Sequence, residues 1–281
     1  MLPKQLKGDL AKQHKSSKTK LSVKEQNQSK NVKKLRASKA NSTSSSLISH
    51  EINGLQDLHD CVDKLLELVS IQQALAQDEQ KKWINESLNG SLRLLDMCGI
   101  AKDSLVQTKE AVPGLQSIFR RRRCCDTELT SEVKKYLTSR KTVKKTIQKT
   151  LKNLNQRSSL ISEEHETDDM LREVEAVTFN VIESLLSLIS GPRAPSKISS
   201  WSVSKLMQPK KVARKETDIN EFEKVDAELS RIVAHKTIKF NNIQSRLKEL
   251  KSNIEDLEKE VKSVNRRLIK TKVNLLNILK N

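Results

Sequence analysis

A chain of 281 residues with 35% hydrophobic but only 2% aromatic content lacks the material from which sandwiches and barrels are built, and it reads as all-α. Six glycines leave little scope for phosphate-cradling loops, and four cysteines without a CxxC pair give no disulfide framework. The most apolar stretch, Met170 to Ser190, is interrupted by Arg172, Glu173, Glu175 and Glu183, so no membrane-spanning run is expected.

The net charge of +18 is concentrated in two blocks. Residues 1 to 50 hold twelve Lys or Arg against Asp9 and Glu25, and residues 120 to 152 hold twelve against Asp126, Glu128 and Glu132. The first block is Lys, Ser, Gln and Asn with few apolar residues, which reads as a disordered basic segment. Lys33-Lys34-Leu35-Arg36 within it is a candidate nuclear signal, set against a cytoplasmic, intracellular expectation.

A helical bundle is expected over residues 51 to 190. Asn53, with Gln56 three residues later, marks a helix start, and Leu55, Leu58, Val62, Leu65 and Val69 carry that helix to about Ala76. A second helix, near 78 to 98, buries Trp83, Leu88, Leu92 and Leu95, is weakened by Gly90 and stops at Gly99. A third runs from about 101, with a break at Val112 forced by Pro113-Gly114. A fourth, Thr127 to Leu154, has one apolar face and one of lysine and arginine. The fifth, about 167 to 190, is nearly apolar all round and is expected to be buried.

Residues 191 to 216 read as a linker with an amphipathic turn at Trp201 to Met207, and Asp218 with Glu221 makes a capping box that opens the last helix. From Ile219 to Ile278 apolar residues recur in heptads. Of eighteen core positions in two series fifteen are apolar, the exceptions being Asp226, Lys236 and Thr271. Phe240, Ile243, Leu247, Leu250, Ile254, Leu257, Val261, Val264 and Leu268 form the central coiled-coil seam, and the whole stretch from Ile219 to Ile278 would, if unbroken, span roughly 90 Å. The flanking charges are mixed and do not force a parallel self-paired dimer. The expected arrangement is intramolecular, with the seam docked on the apolar fifth helix and a break between Asp226 and Lys236; pairing between chains is the alternative, and the oligomeric state stays open.

No catalytic, cofactor or metal motif is found, and the five histidines are isolated. His59, Asp60 and Cys61 point different ways around a helix, and Cys61 is expected in the core beside Val62. The sharp charge feature is Arg120, Arg121, Arg122 and Arg123. As a functional element it would grip phosphate, through guanidinium forks that match phosphate geometry; as a structural one it is a solvated turn.

Several blocks in order resemble the plant BYPASS-related family: residues 54 to 63, Trp83, Gly90 to Asp96, Ala101 to Glu110, Leu115 to Arg123, Glu132 to Tyr136, Leu171 to Ala176, Trp201 to Met207, Asn220 to Asp226 and Leu268 to Ile278. The resemblance covers about residues 47 to 281. It implies an all-helical, non-enzymatic plant protein associated with root and shoot development. Residues 1 to 46 differ from the usual leader of that family, and Pro113-Gly114 replaces a continuous helix. The function expected is binding to a protein partner through helical surfaces. The alternative is contact with RNA or an anionic membrane through residues 1 to 50 and 120 to 152.

Overall fold

The computed structural model describes residues 44–77, 81–121, 126–157, 168–191, 219–234 and 240–280, all helix and short turns with no strand among them. The helices are α1 (Ser45–Leu66), α2 (Val69–Leu75), α3 (Lys81–Glu110), α4 (Val112–Arg120), α5 (Asp126–Arg157), α6 (Asp168–Ser190), α7 (Glu221–Val233) and α8 (Phe240–Lys280). The basic segment up to residue 43, the Trp201 to Met207 turn and Lys236 lie outside the described residues.

Four helices form the frame. In cyclic order they are α1, α8, α3 and α6, so α8 lies against α1 and α3, and α6 closes the ring on the opposite side. Direct polar pairs fix the register of α1 and α8 as parallel: Ser263 Oγ donates to Gln56 Oε1 at 2.9 Å, Arg267 Nε to Asp60 Oδ1 at 2.8 Å, and Thr271 Oγ1 to Asp63 Oδ1 at 2.8 Å. Lys109 Nζ donates to Glu258 Oε2 at 2.7 Å and ties α3 to α8 in the opposite sense. Where the four meet, a void of about 10 Å³ lies among Ile52, Leu55, Cys98, Ile182, Val261 and Val264. It is roughly the size of one water and wholly apolar, so the centre is packed rather than a binding cavity. Outside this ring, α5 lies on α3 and α6, and α7 lies on α5.

The seam residues Ile243, Leu247, Leu250, Ile254, Leu257, Val261, Val264 and Leu268 are all buried, while Phe240 begins α8 with a side chain outside the described set. Their dock corrects the expectation. It is α1 and α3, not the apolar fifth helix, which is α6 and sits across the ring. The heptad series is also divided, with α7 ending at Val233 and Ala234 its C-cap. Helix α7, with Phe222, Val225, Leu229 and Ile232 buried, packs on α5 and on α8 itself, whereas α8 packs on α1 and α3, and one straight rod cannot meet both. Arg246 Nη1 at 3.0 Å from Glu228 Oε2 closes the α7–α8 hairpin. At 1.5 Å per residue the 41-residue α8 spans about 60 Å.

Other boundaries moved for identifiable reasons. The first helix begins at Ser45 rather than Asn53, because Ile48 and Ile52 continue the buried stripe backwards; Asn53 is internal and accepts from Gln56 Nε2 at 3.2 Å. It ends at Leu66, and Val69–Leu75 forms a separate short helix. Predicted helices two and three are one, α3, since Met97, Cys98 and Ala101 keep one buried face through Gly99. Leu92, expected inside, is 42% exposed, and Cys61 is half-buried. Gly90 is a packing position: a Cβ there would lie 2.2 Å from the Glu175 carboxylate of α6. The break at Pro113 is present, with α3 stopping at Glu110 and α4 restarting at Val112. The cap of α7 is Asn220, whose Oδ1 accepts from the Glu223 N–H at 2.9 Å, and Asp218 lies outside the described residues.

Two outcomes check this packing. Gly99→Ala places a methyl group in open space within a helix, so it should raise unfolding free energy by about 0.5–1 kcal/mol in a urea titration. Leu257→Ala should cost about 2–5 kcal/mol. Because its seam is filled within one chain, the unfolding midpoint of that variant should not depend on protein concentration; a strongly concentration-dependent midpoint would show pairing between chains.

Candidate interaction surface

Helix α5 carries the second basic block and has two faces. At about 100° per residue, Leu129, Val133, Tyr136, Val143, Ile147 and Leu151 fall on one side, and all are buried. Arg140 falls on that same side and is 1% exposed. Burying a guanidinium costs several kcal/mol unless its donors are met. They are met from three other helices. Nε donates to Asp226 Oδ1 of α7 at 3.2 Å, Nη1 to Thr108 Oγ1 of α3 at 3.2 Å, and Nη2 to the Ile189 carbonyl of α6 at 2.7 Å. The Phe222 ring lies 5.1 Å from the guanidinium carbon, within cation–π range. Lys144 Nζ reaches the other Asp226 oxygen at 2.8 Å.

This network also finishes α6. A helix leaves its last carbonyls without internal partners. Here Ile189 O takes Arg140, Leu188 O takes Asn220 Nδ2 at 3.0 Å, and Ser187 O takes the Gly191 N–H at 2.9 Å. Gly191 has φ +78°, the left-handed cap conformation that a side chain disfavours. Burial, with Asp226 close by, pushes the Tyr136 hydroxyl pKa up, so the phenol stays neutral.

The opposite face of α5 presents Lys134, Lys141, Lys145, Lys149 and Lys152, all exposed. They fall within an arc of about 80° pointing away from the bundle and extend roughly 27 Å along the helix. None of the five ammonium groups has an ion pair among the described residues. The acidic residues of α5 leave this arc clear: Glu132 pairs with Lys135, and Glu128 lies 4.0 Å from Arg121. Of the arginine run, Arg120 and Arg121 end α4 as exposed side chains, with the Arg121 N–H capping Ser117 and Ile118 carbonyls; Arg122 and Arg123 lie outside the described residues. The run therefore starts as a helix C-terminus, where cations complement the dipole. The lysine and arginine face expected of the fourth helix is present as this lysine file; Arg140, placed by the 3.6-residue period on the apolar side, was not singled out from sequence as a buried junction.

A second polar cluster joins α1 to α6 and α8. His59 is buried, with Nε2 3.0 Å from Thr178 Oγ1. Burial, and then the charge of Arg267, lowers its pKa to about 4, against a smaller raising effect of Asp60. The bidentate hydrogen bond from Arg267 holds Asp60 below the usual carboxylate range, whereas burial pushes buried Asp63 above it. Among the described residues no group of three or more His, Cys, Asp or Glu is placed to hold a metal ion, and no helix is long and apolar enough to cross a membrane.

Arg140→Met should cost about 3–5 kcal/mol, because Thr108 Oγ1 and the Ile189 carbonyl lose their donor and buried Asp226 is left with Lys144 alone. Asp226→Asn in the same chain should recover part of that loss in a double-mutant cycle by thermal unfolding. His59 gives a pH signature. Its folded pKa lies below the unfolded value of 6.5, so the unfolded chain binds the extra proton. Its full contribution is present above pH 6.5 and is lost progressively as pH falls toward about 4. His59→Gln should flatten the stability profile across that interval; an unchanged profile would assign the pH dependence to other groups.

No curated protein and no solved structure matches the chain. A family model does, the one described as Protein BPS1, over residues 51–278, which takes in every helix from most of α1 to nearly the end of α8. That span is well over half of the 281 residues, and the chain belongs to the plant BPS1 family, the BYPASS-related family its sequence blocks resemble.

Proposed function

We propose that this BPS1-family chain is a non-catalytic helical protein serving root and shoot development, and that it acts by binding a protein partner with its outer helical surface. The observation that carries the reading is what the heptad helix does with its apolar residues. The seam is used up inside the chain, yet Ile269, Val273 and Leu276 remain 47%, 46% and 37% exposed on the outer side of α8. Spaced i, i+4 and i+7, they make one apolar file, the pattern by which one helix receives another. Proximity labelling in plant cells with the wild type and an Ile269→Ser, Val273→Ser variant tests it. A neighbour that disappears selectively with the variant, at unchanged protein level and helicity, is the expected result. Identical neighbour sets for the two proteins would count against this surface.

A second reading is favoured by the unpaired lysine file of α5. In this reading the protein binds phosphate-bearing surfaces through residues 1–50 and 120–152. Counterion release then makes binding to an anionic probe fall steeply with salt. Binding that is indifferent to ionic strength would remove it.

A further inference from the structure

The lysine file has a shape as well as a charge. We infer that the outer face of α5 is a docking site for an anionic lipid bilayer, with Lys134, Lys141, Lys145, Lys149 and Lys152 as the contact; the inference rests on the phosphate-surface reading above. The five ammonium groups stand on one uninterrupted helix within an arc of about 80°, so they face a plane from the same side. A leaflet rich in acidic headgroups is such a plane.

Other polyanions fit this face less well. Single-stranded nucleic acid is held by bases stacking on exposed aromatic rings, and the aromatic residue of α5, Tyr136, is 1% exposed on the wrong side. Bidentate phosphate grip calls for guanidinium, and Arg140 is committed to Asp226 and Ile189 in the interior. A tight protein interface is centred on apolar or aromatic anchors, and no large exposed apolar side chain among the described residues lies on α5. Lysine needs neither anchor nor fork, because its flexible stem carries a point charge that follows mobile headgroups. Without an apolar residue to insert, the contact is peripheral and electrostatic. Each lysine near an anionic leaflet is worth about fivefold in partition.

The test is co-sedimentation of the full chain with phosphatidylcholine vesicles, with and without phosphatidylserine, beside a duplex RNA as the competing probe. The expected result is binding to the phosphatidylserine vesicles, none to phosphatidylcholine alone, and weaker binding to RNA. Lys141→Gln, Lys145→Gln and Lys149→Gln together should lower vesicle partition on the order of 100-fold. The corresponding three Lys→Arg changes should retain it. A circular dichroism melt matching the wild type shows that these exposed changes leave the fold intact. Vesicle binding unchanged in the Gln variant would overturn the assignment to α5. Equal or tighter binding to RNA, lost in the Gln variant, would overturn the bilayer and leave the phosphate-surface reading standing. Binding to neither probe would end both.

Discussion

The arrangement of the helices depends on a buried charge. Arg140 holds four elements in one place because a guanidinium presents donors in fixed directions and none can be left dry without cost. Moving α7 away would strip Asp226 and the Phe222 face from it, and shifting α6 would take the Ile189 carbonyl. A helix as short as α7, 13 residues, is marginal in isolation. It is held by this junction and by Asn220, which at once caps its own helix and satisfies the last turn of α6. Apolar packing supplies the larger part of the stability, but it tolerates sliding. The fork of Arg140 does not.

The same logic recurs between α1 and α8. Apolar heptads permit several registers, each one turn apart, with nearly the same burial. Gln56–Ser263, Asp60–Arg267 and Asp63–Thr271 step down the two helices together, so a one-turn slip would leave buried Asp63 without the Thr271 hydroxyl. Polar groups inside this seam therefore choose among packings that hydrophobic contact leaves nearly equal.

That choice explains what was legible in the sequence. The 3.6-residue period showed which face of each helix is buried, and it was right for the seam from Ile243 to Leu268 and for α5. Periodicity names a face without naming what the face meets, so the seam was assigned to the apolar α6 when it rests on α1 and α3. The information lay in the apparent defects of the pattern. Of the three polar heptad positions, Asp226 is the partner of Arg140 and Thr271 the partner of Asp63, and Lys236 lies outside the described residues. Arg140 is the matching defect in the apolar stripe of α5, four residues after Tyr136 and three before Val143. Reading two such defects as a pair needs contacts 86 residues apart, which local spacing does not supply. Local signals misled where a glycine was taken for a stop: Gly99 sits on the outer side of α3, and the buried side runs past it.

For the outer surface the legible part ended sooner. Counting charges located the basic block at 120 to 152, and helical periodicity gave its helix a face of lysine and arginine without separating Arg140 from the lysines. Once α5 is placed, its buried face removes Arg140 from that block, and Asp226 takes Lys144. What is left outside is a line of five lysines with no ion-pair partner among the described residues, sharper than the block it came from. A solvated helix face usually intersperses both signs, because like charges one turn apart repel by a few tenths of a kcal/mol each. Lys141, Lys145 and Lys149 are such neighbours in an unbroken i, i+4 series. The helix accepts that repulsion along its outer side while its inner side is held by Arg140, and an opposing anionic surface is what would relieve it.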